Sequence, residues 1–254
     1  MKLTILGSGT HYPSLVRSAA GYLLENKKKY YLFDIGPGTI RRLLEAGVDY
    51  RKIRHIFITH LHGDHVADLF HLLFTLKVQY STGEIGKAGM DIFGPKGIKK
   101  FFNALDNQVV NLRNPIFSFP FRIREMTKEN INAGNLKVKW AKVKHGSQQA
   151  VSYRLESGGK SIVYSGDLEY GQEIIKLSRN ADLLILECSR PEQLPSRSHL
   201  TAAECGRIAA EAGVKKLVLS HLYPITEKYD IIKQAKKYFK GPVVRAKDLM
   251  EIRV

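Results

Sequence analysis

The stretch Ile56-Phe57-Ile58-Thr59-His60-Leu61-His62-Gly63-Asp64-His65 decides how this chain is read. An apolar run of strand type ends there, and four groups able to ligate a metal follow it within six positions. Side chains alternate along extended backbone, so His60 and His62 point to one side and both imidazoles can meet one ion. A turn at Gly63 then starts a helix, which displaces Asp64 and His65 from that pair and sets them to hold a second ion nearby. Three imidazoles and a carboxylate packed together without a metal would leave several polar groups wanting partners. Mixed imidazole and carboxylate donors suit zinc, with manganese or iron as alternatives.

Further ligands stand at other strand ends. His145 follows the run Leu136 to Lys142, Asp167 follows Ser161 to Ser165 and Gly166, and His221 follows Leu217 to Ser220. His145 completes a set with His60 and His62, His221 completes one with Asp64 and His65, and a carboxylate at Asp167 can bridge the two ions. The pattern leaves an open position for a water, as a catalytic site requires. His55 and His71 stand alone and read as filler.

Strand-length apolar runs alternate with helical patterns over the whole chain, which argues for one α/β domain spanning residues 1–254. Strands are expected at Leu3–Leu6, Tyr22–Leu24, Tyr30–Asp34, Ile56–Thr59, Met90–Phe93, Phe117–Arg124, Leu136–Lys142, Val151–Leu155, Ser161–Ser165, Leu183–Glu187, Leu217–Ser220 and Val243–Val254. Helices are expected at Thr39–Ala46, Val66–Val78, Ile98–Leu105, Gly171–Leu177, Ala202–Ala212 and Ile231–Phe239. Tight turns such as Ser157-Gly158-Gly159 favour hairpins, hence a substantially antiparallel sheet in each half, with helices on the outer faces. Gly7-Ser8-Gly9 resembles a nucleotide loop only superficially, because the third glycine of a dinucleotide fingerprint and the Walker lysine are both missing.

Composition narrows the function. With 254 residues and 44% apolar content the chain can bury a full core without help from a metal or disulfide. Lysine and arginine total 40 against 24 acidic residues, a formal net charge of +16, which points to a phosphate-bearing partner. The most apolar stretch, Val66 to Val78, contains Asp68, His71 and Lys77 and is shorter than the roughly 20 residues of a membrane span. The start Met1-Lys2-Leu3-Thr4-Ile5-Leu6 has no apolar segment of secretory type, and two cysteines, Cys188 and Cys205, make no disulfide framework. A reducing cytoplasm is the expected compartment. Cys188 reads as a small buried hydrophobe rather than a nucleophile.

The motif His60-x-His62-x-Asp64-His65 with downstream His145, Asp167 and His221 resembles the metallo-β-lactamase superfamily, and within it ribonuclease Z and its phosphodiesterase relatives. The segment Ser198-His199-Leu200-Thr201 looks like the His-Ser-Thr element of that family, and Leu186-Glu187-Cys188-Ser189 stands where its His-Glu-Ala-Thr element does. Pro13 to Ser18 partly matches a loop with which the family contacts RNA. The resemblance implies an αββα four-layer sandwich with a dinuclear site at one edge of its two sheets. It further implies hydrolysis of RNA or small phosphodiesters by a metal-bridging hydroxide, with Asp64 helping to orient that hydroxide. His199 is then the general acid and Glu187 the carboxylate that orients and charges its ring. Arg17 and Lys144 suit phosphate oxygens.

The alternatives are tRNA 3′ processing, as in ribonuclease Z itself, and hydrolysis of carboxylic esters, thioesters or lactams by glyoxalase-like chemistry. Diiron oxidoreductases of the superfamily replace the second histidine by glutamate, whereas this chain has His62. Family members that process tRNA commonly carry a protruding arm, inserted in bacterial short forms between the ligands matching His145 and Asp167. Here those residues are only 22 positions apart, enough for two strands and a turn. Relatives are often dimers, so the resemblance also admits a homodimer.

Overall fold

The computed structural model describes residues 1–106, 111–112, 119–128 and 130–254. Their strands are β1 (Lys2–Gly7), β2 (Gly21–Asn26), β3 (Lys29–Ile35), β4 (Ile53–Phe57), β5 (Met90–Gly94), β6 (Phe121–Glu125), β7 (Asn130–Ala133), β8 (Leu136–His145), β9 (Gln148–Ser157), β10 (Lys160–Tyr164), β11 (Leu183–Glu187), β12 (Leu217–Ser220), β13 (Val243–Arg245) and β14 (Met250–Arg253). The helices are α1 (Thr39–Glu45), α2 (Gly63–Ser81), α3 (Ile98–Leu105), α4 (Gln172–Ser178), α5 (Ala202–Glu211) and α6 (Ile231–Lys236).

Two seven-stranded sheets run in the orders β14-β1-β2-β3-β4-β5-β6 and β13-β12-β11-β10-β9-β8-β7. Most strands are apolar on both faces because both faces are covered. In β3, Tyr31 and Phe33 enter the core between the sheets while Leu32 faces outward under α1, α2 and α3, and the left-handed Asp34 (φ 51°) breaks the alternation so that Ile35 joins Leu32. In β11, Leu183 and Ile185 enter the same core, and Leu184 and Leu186 face α4, α5 and α6. This period-two division produces three apolar layers and the expected αββα sandwich.

Each sheet is antiparallel in only one half. The pairings from β14 to β3 and from β7 to β10 are antiparallel, whereas β3 to β6 and β10 to β13 are parallel. The expectation of largely antiparallel sheets holds where tight turns join strands. It fails where a helix or other long connection returns the chain to the same edge.

Three strand boundaries also differ. Residues 117–118 of the expected strand Phe117–Arg124 lie outside the described residues, and β6 covers Phe121–Glu125. The run Val243–Val254 is two strands: β13 joins the second sheet beside β12 and β14 joins the first beside β1. The crossing falls at Ala246 to Leu249, where Leu249 takes a left-handed φ of 62°. There the Asp248 carboxylate accepts hydrogen bonds from Ser8 N, Ser8 Oγ and Ser18 N, which pins the chain between sheets. Finally, β4 stops at Phe57. Beyond it the carbonyls of Ile58 and Thr59 accept from Tyr153 Oη (2.7 Å) and Val151 N (3.0 Å) of the opposite sheet. That switch carries His60 to the open edge between the sheets. Among the described residues no helix is long and apolar enough to cross a membrane.

Candidate metal centre

The parallel strands deliver their C-terminal ends to this edge. His60 and His62 follow β4, and Asp64 and His65 lie in the first turn of α2, whose N-cap is His62. His145 ends β8, Asp167 follows β10, and His221 follows β12 with a left-handed φ of 53°. Two glycines permit the crowding. A Cβ on Gly36 would come within 2.0 Å of the Asp64 carbonyl oxygen, and one on Gly166, whose φ is +60°, within 2.6 Å of Thr59.

All seven side chains converge. His62 Nδ1 stands 3.0 Å from His60 Nε2 and 3.4 Å from His145 Nε2. On the other side, Asp64 Oδ2 is 3.4 Å from His221 Nε2 and 3.8 Å from His65 Nε2. Asp167 stands between the two groups. Its Oδ1 is 3.4 Å from both His65 Nε2 and His221 Nε2, and its Oδ2 is 3.9 Å from both His60 Nε2 and His145 Nε2.

Most of these rings are held in one orientation by a bond at the far nitrogen. His65 Nδ1 donates to Asp34 Oδ2 at 2.7 Å, and His145 Nδ1 donates to the Ser198 carbonyl at 3.0 Å. Thr59 Oγ1 donates to Asp34 Oδ2, so it accepts from His60 Nδ1 at 3.1 Å. Ser189 Oγ donates to Glu187 Oε2, so it accepts from His221 Nδ1 at 3.1 Å. Four imidazoles therefore turn Nε2 to the cluster, the arrangement by which proteins orient a metal-binding histidine.

The electrostatics agree with a cation-binding role. Burial pushes the His60 and His62 imidazoles below the usual histidine range and keeps them neutral. Burial opposes ionisation of Asp64 and Asp167, but the facing histidines, His221 foremost, hold both carboxyls well below the usual carboxylate range. Burial likewise opposes protonation of His65, yet the charges of Asp167 and Asp34 overcome it and raise that imidazole well above its usual range, so a metal held at Nε2 would take the place of a proton there. His65 Nε2 and Asp167 Oδ1 are buried without a hydrogen-bond partner. Unpaired buried donors and acceptors of this kind are costly, and a shared cation satisfies both. The donor set fits a divalent metal.

Beside this cluster His199 Nδ1 lies 2.8 Å from Glu187 Oε1, and His199 Nε2 faces Tyr223 Oη at 3.3 Å. Burial lowers the basicity of His199, but the hydrogen bond and charge of Glu187, with Asp167 adding to it, raise its pKa above the usual value. Its position follows from local structure. Thr201 and Glu204 form a reciprocal capping box at the start of α5, and Arg190 pairs with Leu200 and Ala202 to tie the loop to the end of β11. The cleft above these groups has a volume of about 300 Å³ and is walled by His11, Ser147, Gln148 and Tyr223.

Asp34, Ser189 and Tyr223 were not singled out from the sequence. Asp34 had a visible signal, a carboxylate ending an apolar strand before Gly36-Pro37-Gly38. Ser189 had only its place at the end of Leu186-Glu187-Cys188-Ser189, and Tyr223 had no signal, since nothing in its spacing tells it from ordinary core residues. Arg17 is a correction: it does not reach into the centre as a phosphate contact. Its guanidinium is spent on Ser8 Oγ (2.6 Å), the Ala246 carbonyl (2.8 Å) and Glu227 Oε1 (3.0 Å). Arg17→Met is therefore expected to lower stability by about 1–3 kcal/mol through lost charge-assisted bonds, a melting-temperature drop of several degrees. The KM for a small phosphodiester should not change, and a raised KM at unchanged melting temperature would restore Arg17 as a substrate contact. Lys144 is exposed and paired with Glu169 at 2.8 Å.

These features define a class. The Beta-lactamase superfamily domain matches residues 29–222, and the chain belongs to the metallo-β-lactamase superfamily, a metal-dependent hydrolase on that fold. It is 30% identical to ribonuclease Z of Brevibacillus brevis, with 91% of this chain and 87% of that protein covered. Among solved structures it is similar to the metallo-β-lactamase fold protein YhfI of Bacillus subtilis (26% identity, TM-score 0.83, 99% and 98% of the two chains covered). It is also similar to the short form of human tRNase Z (25% identity, TM-score 0.79, 100% and 99% covered). Within the superfamily the chain is ribonuclease Z-like. The alignment with the Brevibacillus protein extends over 285 positions, more than this chain has residues, so that protein carries segments without a counterpart here.

Proposed function

We propose that this protein is a phosphodiesterase acting on RNA through a dinuclear zinc site in a reducing cytoplasm. His60, His62 and His145 would hold one ion, Asp64, His65 and His221 the other, and Asp167 both. When bound, such ions supply an acidified water and neutralise charge on phosphoryl oxygens. The observation that carries the reading is the reach of Asp167, whose two oxygens address the two histidine groups at 3.4 Å and 3.9 Å.

The chain's own residues account for the remaining chemistry. Asp64 at the mouth of the cleft orients the attacking oxygen by accepting its hydrogen bond. His199, kept protonated by Glu187, delivers a proton from Nε2 to the leaving oxygen. Tyr223 Oη, 3.3 Å from that nitrogen, keeps it turned toward the cleft. The net charge of +16 draws anionic substrates to the site.

A second reading, processing of tRNA 3′ ends, is favoured by the names of the relatives at 30% and 25% identity. Against it, β9 and β10 are joined by the tight turn Gly158-Gly159, so no arm emerges between His145 and Asp167. With zinc or manganese supplied, bis(p-nitrophenyl) phosphate should be turned over and a thioester should not. Turnover of the thioester alone would sink the phosphodiesterase reading, and preference for a 3′-extended tRNA precursor over unstructured RNA would favour the second. In the same assay His199→Ala should slow release of a ribose leaving group by about 10²–10⁴-fold and release of p-nitrophenolate far less, because only the poor leaving group needs the proton. Equal losses would remove His199 from that role.

A further inference from the structure

We propose that the β2–β3 turn, at the end of the sandwich opposite the metal centre, is a separate anion site that docks duplex RNA. The site stands apart from the centre, and naming RNA as its anion rests on the RNA reading of that centre.

The turn is strained. Asn26 of β2 pairs with Lys29 of β3, which leaves Lys27 and Lys28 as the two loop residues of a hairpin. Their φ values are 48° and 62°, both left-handed. Asn-Gly is the favoured pair at such positions, because a Cβ there crowds the following carbonyl and only glycine escapes it, while asparagine compensates by local hydrogen bonding. Lysine does neither, so the fold keeps two long cations at the tip against a backbone cost. Strain kept at an exposed turn points to a use other than stability.

The cations there are unspent. Lys27, Lys28 and Lys29 are exposed, and none forms an ion pair among the described residues. The same holds for Lys52, which precedes the pairing of Ile53 with Tyr30, and for Lys137 on β8. The carboxylates that the register brings to this end are occupied. Glu25 faces Lys2 at 3.5 Å, Asp49 faces Arg51 at 2.8 Å, and Glu156, opposite Lys137, holds Arg154 at 2.7 Å and Lys139 at 3.2 Å.

The turn is also held still. Asn26 Nδ2 and Tyr31 Oη both donate to Asn135 Oδ1, at 2.9 Å and 2.7 Å, and Asn135 Nδ2 donates to the Asn26 carbonyl at 3.1 Å. This clasp fastens the turn to the β7–β8 connection of the other sheet, with Lys137 two residues beyond it. Five residues of β3 separate Lys29 from Asp34, the carboxylate that bonds His65, roughly 17 Å at about 3.4 Å per residue. An anion docked at the turn therefore leaves the cleft open. A hairpin tip is narrow and convex, so its cations can meet phosphates on both sides of a duplex groove, where a lone strand offers a single row. The tip has no apolar side chain to bury in a membrane.

The test is fluorescence anisotropy of a labelled RNA duplex and of one of its strands, read across a salt series, beside turnover of bis(p-nitrophenyl) phosphate. The wild type should prefer the duplex. Lys27→Gln, Lys28→Gln and Lys29→Gln should each lower the slope of log affinity against log salt by about 0.9, and the triple variant should bind about tenfold more weakly or worse. Turnover of the small diester should not change. Lys27→Asn combined with Lys28→Gly relieves the backbone, so its melting temperature should rise by a few degrees while its RNA affinity falls. Lys27→Arg combined with Lys28→Arg keeps the charge and should bind like wild type, which separates charge from misfolding. Wild-type affinity and salt slope in the Asn-Gly variant overturn the site. Binding of polyglutamate as tight as that of the duplex overturns the assignment to RNA. Failure of the wild type to turn over the small diester, with these binding results intact, overturns the reading of the centre instead.

Discussion

Asp167→Ala is expected to abolish hydrolysis of bis(p-nitrophenyl) phosphate, with a loss on the order of 10³-fold or more, and to lower the metal bound per chain. The carboxylate is buried and ionised, and His60, His65, His145 and His221 face it within 3.9 Å. Asp64, the other carboxylate in the cluster, is 3.4 Å from His221 but belongs to one side only. Removing Asp167 leaves the first histidine group without an anion, and breaking a buried charge cluster at one member costs about 3–5 kcal/mol, or roughly 10²–10⁴-fold in affinity. Catalysis suffers further because both ions and the attacking oxygen lose their common reference point. The check is elemental analysis of purified variant beside steady-state rates, with circular dichroism to confirm folding. Two ions bound at full occupancy in the variant would show that Asp167 is not the bridge.

The sequence carried the site better than the sheet connections, for a physical reason. A metal cluster needs particular side chains close together, and the candidate ligands are legible because His60, His62, Asp64 and His65 crowd into six positions after an apolar run, while His145, Asp167 and His221 each stand just beyond a β-rich run. Strand direction depends instead on which edge a connection returns to, and nothing between β4 and β5 or between β11 and β12 encodes that locally. Val243 to Val254 shows the same limit. Its β-rich composition is that of one strand, and only the tertiary partners of Asp248 reveal that the chain crosses between sheets there. The short β7 was missed because Asn130-Ile131-Asn132-Ala133 has little strand propensity and is held by pairing with β8. Arg17 failed for a related reason. A guanidinium in a loop near the site looks available until its acceptors, Ser8, Ala246 and Glu227, are brought from distant parts of the chain.

A residue that the sequence reading passed over has the second-largest expected effect. Asp34 is fully buried at the end of β3 and accepts four hydrogen bonds: from Thr59 N (2.8 Å), Thr59 Oγ1 (2.8 Å), Tyr164 Oη (2.6 Å) and His65 Nδ1 (2.7 Å). One carboxylate thus joins β3, the segment leading to His60, the end of β10 before Asp167, and α2 through His65. Its φ of 51° is left-handed, which aspartate and asparagine tolerate better than alanine does. Asp34→Ala strands all four donors and adds backbone strain, so a loss of about 3–5 kcal/mol in stability is expected, as for other broken buried networks. Asp34→Asn separates the two roles. The amide keeps the size, the backbone preference and one acceptor oxygen, which can stay with the three donors at Oδ2 while the NH2 faces Thr59 N, but it no longer offers His65 a charged acceptor at Nδ1. The Asn variant should therefore lose only part of the stability that Asp34→Ala loses while binding zinc about 10–100-fold more weakly, the usual effect of losing the carboxylate behind a metal-binding histidine. Thermal unfolding of the metal-free protein and competition with a chelating dye measure the two quantities. Wild-type zinc affinity in Asp34→Asn would mean that the carboxylate only holds the fold together and that His65 is oriented by packing alone.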